Sequence, residues 1–212
     1  LDSRVNATRF LFDKVLLYKV PLKAFISASA TGYYGTVTSD TIFDEEAPAA
    51  HDFLGNVCFQ WENAAARFQE LGIRTVKIRT GVVLSNDAPA LKKMLLPIKM
   101  GIGSSLGSGK QYIPWIHIDD LCEIYLKAIE DNTFTGPFNA VAPQHITNKE
   151  MMKTLSKILK KPFWFPAVPA FVLRILFGEM ADILLKGSRV QPKKLLEKGF
   201  EYHFPEVGQI LL

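Results

Sequence analysis

The sequence predicts an α/β fold built on a parallel sheet, followed by a smaller and mostly helical C-terminal part. A short apolar run over residues 23–29, bounded by Pro21 and a Gly/Tyr turn, predicts a buried strand. An amphipathic helical pattern over 57–71 follows and ends at Gly72. A second strand pattern comes next, over 73–79. This strand–helix–strand order with a short final turn is typical of parallel sheets.

Composition supports a globular protein. The 212 residues are 48% hydrophobic and 22% charged, which excludes collagen, a coiled coil and extensive disorder. Charged residues interrupt the most apolar stretch, 171–185, so it predicts a helix pair rather than a membrane span. Cys58 and Cys122 cannot form a disulfide framework, and we therefore expect a cytoplasmic protein.

The chain opens within a helical pattern that Asp2 or Ser3 can cap. The positions at helical spacing are Val5, Thr8, Phe12, Val15 and Leu16. Because proteins seldom start at a helix cap, we expect that an N-terminal portion is missing before Leu1. The polar, acidic segment over 36–52 predicts a loop.

The second half continues the alternation of helices and strands. Its pattern predicts a helix over 89–100, a Gly/Ser loop over 101–109, a strand over 111–118, a helix capped by Asp119, a strand over 138–141, a helix that a Thr147–Glu150 capping box opens, and a final strand over 200–204. The predicted apolar face of the helix after Asp119 consists of Leu121, Cys122, Tyr125, Leu126 and Ile129. The composition changes toward prolines and short helices near the end, and we expect two units, 1–142 and 143–212.

Several kinds of site can be excluded from spacing. The glycine loop is not a P-loop, because Ser104 stands where a glycine is needed and Gln111 follows Gly109-Lys110. It is either a connector or a loop whose backbone N–H groups and Lys110 bind an anion. The four histidines lack partners at metal-ligand spacing, so no metal site is predicted. The scattered lysines of 143–212 indicate a solvated face rather than a nucleic-acid surface.

A polar turn follows the first strand, over residues 27–35. Ligands of open α/β sheets bind beyond the carboxyl ends of the strands, which makes this turn a candidate site. The alternative is that its small residues only allow the chain to turn.

Several motifs resemble one family. They are Ser3-Arg4 with Thr8, SATGYYG at 29–35, WENAA at 61–65, RTGVVL at 79–84 and GSGKQYIPWIHIDDL at 107–121. Together they resemble the sugar-nucleotide-epimerase-like, atypical extended short-chain dehydrogenases. Residues from Pro162 onward resemble the C-terminal domain of unknown function attached to that subgroup.

The resemblance implies a Rossmann-like sheet that binds NADP or NAD, with a smaller, mostly helical C-terminal domain of the substrate-binding type. Family members carry a glycine-rich turn before the region that this chain matches, so the Rossmann-like part is expected to be N-terminally truncated. That turn holds the cofactor pyrophosphate. We therefore expect the 212 residues to bind dinucleotide poorly, or to complete the site with residues that the motifs do not identify.

The resemblance also implies site residues. The expected cofactor-binding residues are Arg4, Ala28, Ser29, Gly81, Val82 and Val83. The family's Tyr-x-x-x-Lys pair falls on Leu54 and Cys58, which cannot perform its acid/base chemistry. Tyr34 is the nearest replacement phenol, with Ser29 as its catalytic partner. The expected substrate-binding residues are Lys110, Gln111 and Trp115, since loop and strand 101–118 should reach the substrate cleft.

Two functions remain open at this point. The first is an NAD(P)-dependent epimerase/dehydratase-like protein or oxidoreductase that acts on a sugar nucleotide or another small polar substrate. The alternative is a non-catalytic dinucleotide-binding sensor or interaction protein, which the loss of the Tyr/Lys pair favours. Relatives often dimerise through helices that flank the sheet, so a homodimer is expected. However, packing on the sheet would equally satisfy the apolar stripe around Trp61 and Phe68.

Overall fold

The computed structural model describes residues 2–211, and its secondary structure alternates helices and strands as expected. The elements are α1 (Asp2–Tyr18), β1 (Ala24–Ala30), β2 (Ile42–Phe43), α2 (Phe53–Ala66), β3 (Arg74–Thr80), β4 (Val82–Leu84), α3 (Pro89–Lys99), β5 (Trp115–His117), α4 (Ile118–Glu130), β6 (Gly136–Ala140), α5 (Asn148–Ile158), α6 (Ala170–Phe177), α7 (Ala181–Leu185), β7 (Arg189–Val190) and α8 (Lys193–Glu197). Four short 3₁₀ turns, at Thr31–Tyr34, Arg67–Leu71, Gly178–Met180 and Val207–Gln209, complete the described elements.

The central sheet has three parallel strands in the order β1-β3-β6. Ala30 lies opposite Thr80, and Thr80 lies opposite Ala140, so the three strands end at the same level. Two further parallel pairs, β2 with β7 and β4 with β5, flank it. The predicted α/β fold with a parallel sheet is therefore confirmed.

Helices cover both faces of the sheet. Phe25 of β1 stacks on Phe68 with ring centroids 3.8 Å apart, in a cluster with Phe12 of α1. The next residue of β1, Ile26, packs instead into a cluster that contains Ile124 of α4. Because successive strand residues point to opposite faces, α1 and the helix that leads to Phe68 cover one face and α4 covers the other.

A second core joins the C-terminal part to the sheet region. Leu84 of β4 and Trp115 of β5 share one buried cluster with Leu155 of α5 and Val207 near the end of the chain. The expected division between 142 and 143 therefore crosses a common core, and it stays a prediction. The loop over 36–52 also contributes, because its strand β2 pairs with β7.

The predicted α4 helix forms, but its start and its buried face differ from the prediction. The N-cap is His117, whose Nδ1 accepts the Asp119 amide, because β5 runs directly into the helix. The strand predicted over 111–118 is correspondingly reduced to three residues. Leu126 and Ile129 are exposed, whereas Leu121, Ile124 and Ala128 form the buried face. Leu16 of α1, also expected in an apolar stripe, is exposed.

The strand predicted over 200–204 is wrong. The amides of His203 and Phe204 donate to the two carboxylate oxygens of Asp120, at 2.7 and 3.1 Å. The Tyr202 hydroxyl donates to the Val141 carbonyl. The backbone and the Tyr202 hydroxyl of this segment thus bond to Asp120 and Val141 instead of to a neighbouring strand. The alternating sequence pattern belongs to an irregular segment.

Candidate functional site

A row of polar side chains crosses the carboxyl edge of the central sheet. Ser29 lies opposite Arg79 in the β1–β3 register, and Arg79 lies opposite Asn139 in the β3–β6 register. All three residues are buried. Residues in register on parallel strands point to the same face, so the sheet brings a hydroxyl, a guanidinium and an amide side by side.

Glu62 of α2 neutralises this row. Arg79 Nε donates to Glu62 Oε1 at 2.8 Å, and Nη2 donates to Oε2 at 2.9 Å. The Ser29 hydroxyl also donates to Glu62 Oε1, at 2.8 Å. Burial opposes the charge of Arg79, but the hydrogen bonds with Glu62 outweigh it and raise the pKa of the guanidinium. The pair is therefore a buried, bidentate ion pair of the strong type.

Tyr34 extends the network. Arg79 Nη1 donates to the Tyr34 hydroxyl at 2.8 Å, and that hydroxyl donates to Asn139 Oδ1 at 2.7 Å. Tyr34 is only 1% exposed, and burial raises the pKa of its phenol despite the neighbouring Arg79. Tyr34 is therefore part of the hydrogen-bond network that joins β1, β3 and β6 at the carboxyl edge of the sheet. Its acid/base role with Ser29 stays a prediction, which this arrangement does not favour, because both hydroxyl protons are already donated.

Glu45 ties the same edge to the C-terminal part. Its Oε1 accepts the Asn139 amide at 3.0 Å and its Oε2 accepts the Lys194 amide at 3.3 Å. Burial raises the pKa of the Glu45 carboxyl. Asn139 Nδ2 donates in turn to the carbonyl of Gln191, at 2.9 Å. The motifs did not identify Glu45 or Asn139 as site residues. A buried charge such as Arg79 requires polar partners, but the sequence does not show which residues supply them.

Leu54 and Cys58 lie against the polar turn, where the family resemblance placed the missing Tyr/Lys pair. A Cβ at Gly32 would be 3.6 Å from both Cys58 Sγ and Leu54 Cβ. Burial, together with the charge of Glu62, raises the pKa of the Cys58 thiol to about 11. Neither side chain at these positions can therefore act as an ionised nucleophile or a general base near neutral pH.

The expected cofactor-binding residues lie on α1, on β1 and over the end of β3 and the start of β4. Arg4 is exposed near the start of α1, with its guanidinium carbon 5.3 Å from the Trp61 ring centroid. Ala28 is an exposed position of β1, between two buried serines. Gly81 donates its amide to the Ala140 carbonyl, and a Cβ at Gly81 would lie 2.5 Å from the Pro114 oxygen, so only glycine fits. Val82 and Val83 continue into the partly buried strand β4.

The expected substrate-binding residues do not converge on an open cleft. Trp115 is fully buried in the second core. Gln111 is buried as well, and its Nε2 donates to the carbonyls of Leu106 and Leu184, so it joins the glycine loop to α7. Lys110 is exposed, which leaves it free to meet a ligand. Their substrate roles remain predictions.

Residues 2–211 contain neither a candidate metal centre nor a candidate membrane-spanning helix. No group of three or more histidine, cysteine, aspartate or glutamate side chains is arranged to hold a metal ion. None of the helices described is long and apolar enough to cross a membrane.

Comparison with known proteins shows the family of the chain. Residues 168–211 match the profile described as "Domain of unknown function (DUF1731)". The epimerase family protein YfhF of Bacillus subtilis is 36% identical over 98% of this chain and 68% of its own length. Mouse epimerase family protein SDR39U1 is 40% identical, over 100% of this chain and 72% of its own. The chain belongs to this epimerase family.

Solved structures agree with the assignment. Human SDR39U1 (isoform 2), solved with NADPH, superposes with a TM-score of 0.90 at 37% identity, covering 99% of this chain and 70% of that one. The UDP-glucose 4-epimerase of Thermotoga maritima, solved with UDP-glucose, has a TM-score of 0.73 at 19% identity, and it supports the fold alone. The family resemblance and the Rossmann-like fold are thus both confirmed. The chain spans 60% of the chloroplastic Arabidopsis thaliana relative.

Proposed function

We propose that this epimerase-family protein binds NADP(H) at the carboxyl edge of the sheet and acts there on a small polar substrate, such as a sugar nucleotide. One observation carries the proposal: the likeness, over 99% of the chain, to a human relative that was solved with NADPH. A bound nicotinamide would supply the capacity to accept or donate hydride. The chain's own residues would bind and orient it and the substrate.

The residues present fit the nicotinamide side of such a cofactor. The small side chain of Ala28 is exposed on β1 and leaves the backbone open to a flat ring. Arg4 lies close enough for its charge to lower the pKa of Cys58, whose Sγ would be 3.6 Å from a Cβ at Gly32 in the turn after β1. Arg4 thus adds a positive charge near the end of β1, which favours an anionic dinucleotide.

Titration of the full-length natural protein with NADPH, followed by nucleotide fluorescence, tests the cofactor. We expect saturable binding that Ala28→Leu weakens by about tenfold or more, since the longer side chain occupies the space for the ring. Ala167→Leu is the matched control, because Ala167 is an exposed alanine before α6. Absence of binding, or equal binding by the two variants, would reject the cofactor site.

A second candidate function is binding without turnover. It is favoured by Leu54 and Cys58, which stand on α2 against the polar turn, at the positions where the resemblance places the acid/base pair. Incubation with sugar nucleotides, with nicotinamide absorbance and product identity both measured, separates the two. An absorbance change or a new product supports an enzyme, whereas NADPH binding with neither supports a sensor. If turnover occurs, an unchanged rate in Tyr34→Phe would reject Tyr34 as the acid/base.

Two further expectations belong to the same proposal. The first is a homodimer formed through the helices that flank the sheet. Phe10 and Leu17 of α1 are exposed apolar residues on such a helix. Sedimentation of the full-length protein at several concentrations tests it, and a monomer throughout would reject it. The second is a cytoplasmic location, which fractionation of cells tests.

A further inference from the structure

A small cavity of about 10 Å³ lies where three segments meet, lined by 112–114, 142, 144–146 and 188–190. Two hydrogen bonds connect its walls to the candidate site. Ser188 Oγ donates to the carbonyl of Gly35 at 2.9 Å, in the polar turn after β1. The Val82 amide donates to the carbonyl of Pro114 at 2.7 Å. The cavity therefore lies between the polar turn and the expected cofactor-binding segment.

A histidine–arginine pair forms the polar wall of this cavity. Arg189 Nε donates to His145 Nδ1 at 2.7 Å. An imidazole nitrogen that accepts a hydrogen bond carries no proton, so the proton of neutral His145 is on Nε2. Burial, followed by the charge of Arg189, lowers the pKa of His145 and keeps the ring neutral. The arginine thus selects the tautomer in which Nε2 is a donor.

The Nε2 donor has no acceptor among the residues that the structure describes. It is buried and makes no hydrogen bond there. The carbonyl of Val190 lies near enough to the ring to favour its charged form, but it does not satisfy hydrogen-bond geometry with Nε2. A buried donor without an acceptor is costly, which indicates that something outside residues 2–211 completes it.

Arg189 is the charged residue of this wall, and its charge has no counter-ion among the described residues there. Of the carboxylates that the structure describes, none lies within ion-pair distance of Arg189, and its guanidinium carbon is 5.3 Å from the Tyr112 ring centroid. Gln144 Oε1 accepts the Val207 amide, and the NH₂ group of that side chain adds donors. No aspartate or glutamate lines the cavity. The wall therefore presents donors and one full positive charge, with no anion opposite them.

We propose that Arg189 and His145 bind one oxygen of an anionic group, a carboxylate or a phosphoryl group, on the substrate. The volume is near the lower limit for a single water molecule, so one oxygen enters and the rest of the ligand lies outside. Nη groups of Arg189 supply the charge, and His145 Nε2–H supplies a directed hydrogen bond. This inference rests on the proposed function, because it takes the ligand to be the substrate. It adds that the substrate carries an anionic group.

Binding of two simple anions to the full-length protein tests the pair. Inorganic phosphate and acetate are titrated separately, and the ¹⁵N signals of His145 are followed. We expect the Nε2–H tautomer before addition and a saturable shift of Nε2 with at least one anion. Tighter phosphate binding indicates a phosphoryl group on the substrate, and tighter acetate binding indicates a carboxylate. No shift with either anion means that the cavity holds a water molecule only, and the proposal fails.

Substitutions test whether Arg189 and His145 are responsible for anion binding. Arg189→Gln should weaken binding by about tenfold or more, because a charge-assisted hydrogen bond is lost. Arg174→Gln is the matched control, since Arg174 is an exposed arginine of α6 and should leave binding unchanged. If Arg189→Gln does not fold, His145→Phe keeps the ring, removes the donor and should also weaken binding. Equal binding by the variants and the control overturns the proposal.

NADPH titration of the same samples separates this inference from the cofactor proposal. Anion binding that depends on Arg189, without NADPH binding, supports the pocket and rejects the cofactor site. NADPH binding without anion binding supports the cofactor site and rejects the pocket.

Discussion

Replacing Glu62 by glutamine tests whether the buried ion pair stabilises the carboxyl edge of the sheet. Glu62 is 4% exposed and Arg79 is 3% exposed, so water cannot take over either charge. The glutamine oxygen can still accept from Ser29 or from Arg79 Nε. Its NH₂ group would face Arg79 Nη2, and two donors would then oppose each other. Arg79 would keep a buried charge without a counter-charge.

Removing one partner of a buried ion pair typically costs about 3–5 kcal/mol. That is a large part of the roughly 5–15 kcal/mol by which folded domains are stable. With a urea slope of about 2 kcal/mol per molar, the unfolding midpoint should fall by about 1.5–2.5 M. Urea titration followed by circular dichroism measures this shift.

Lys92→Gln is the control, because its ion pair with Asp87 is exposed to solvent and should contribute nothing measurable. The double variant Glu62→Gln/Arg79→Met removes both charges and should lose less stability than Glu62→Gln alone. The argument fails if Glu62→Gln unfolds at the same urea concentration as Lys92→Gln, or if the double variant is the less stable of the two.

Three other predictions concern single positions. Gly81→Ala places a methyl group against a backbone carbonyl and should cost about 1–3 kcal/mol by urea titration, whereas Gly208→Ala, with nothing within 4 Å, should not. Burial lowers the pKa of His145 in the folded state. Its contribution to stability is therefore complete above pH 6.5 and is lost as the pH falls through the folded-state pKa. His145→Gln should lack this part of the pH dependence of the unfolding midpoint. Asp120→Asn turns one of two acceptors into a donor, and hydrogen exchange of the amides at 203 and 204 should become faster, while an unchanged rate would show that the carboxylate does not hold that segment.

Local patterns predicted the elements of the sheet well. Strands β1 and β3 and helix α3 form within about a residue of the predicted bounds, because hydrophobic periodicity reports burial within one element. The pattern over 200–204 has the same alternation but no strand neighbour. Whether such a segment forms a strand depends on the distant Asp120, which no local window includes.

The candidate site was predictable only in part. The family resemblance aligns the missing Tyr/Lys pair with Leu54 and Cys58, and the structure places both side chains beside Gly32 of the polar turn. It did not reveal that Glu62 itself pairs with Arg79 across 17 residues, or that Asn139, 105 residues from Tyr34, receives its hydroxyl. Pairing between strands brings those groups together, and a single sequence does not state which strands are neighbours.

The side chain of Asn139 limits how the C-terminal part can move relative to the sheet. It joins the turn after β1, through Tyr34, to the segment before α8, through the Gln191 carbonyl. Strand β7 is in turn paired with β2. A rigid rotation of the whole C-terminal part away from the sheet would break these bonds together, at a buried position. Motion at lower cost must therefore bend elsewhere, and the segment from α6 to α7, with its exposed Ile175 and Met180, is the part least restrained by these bonds.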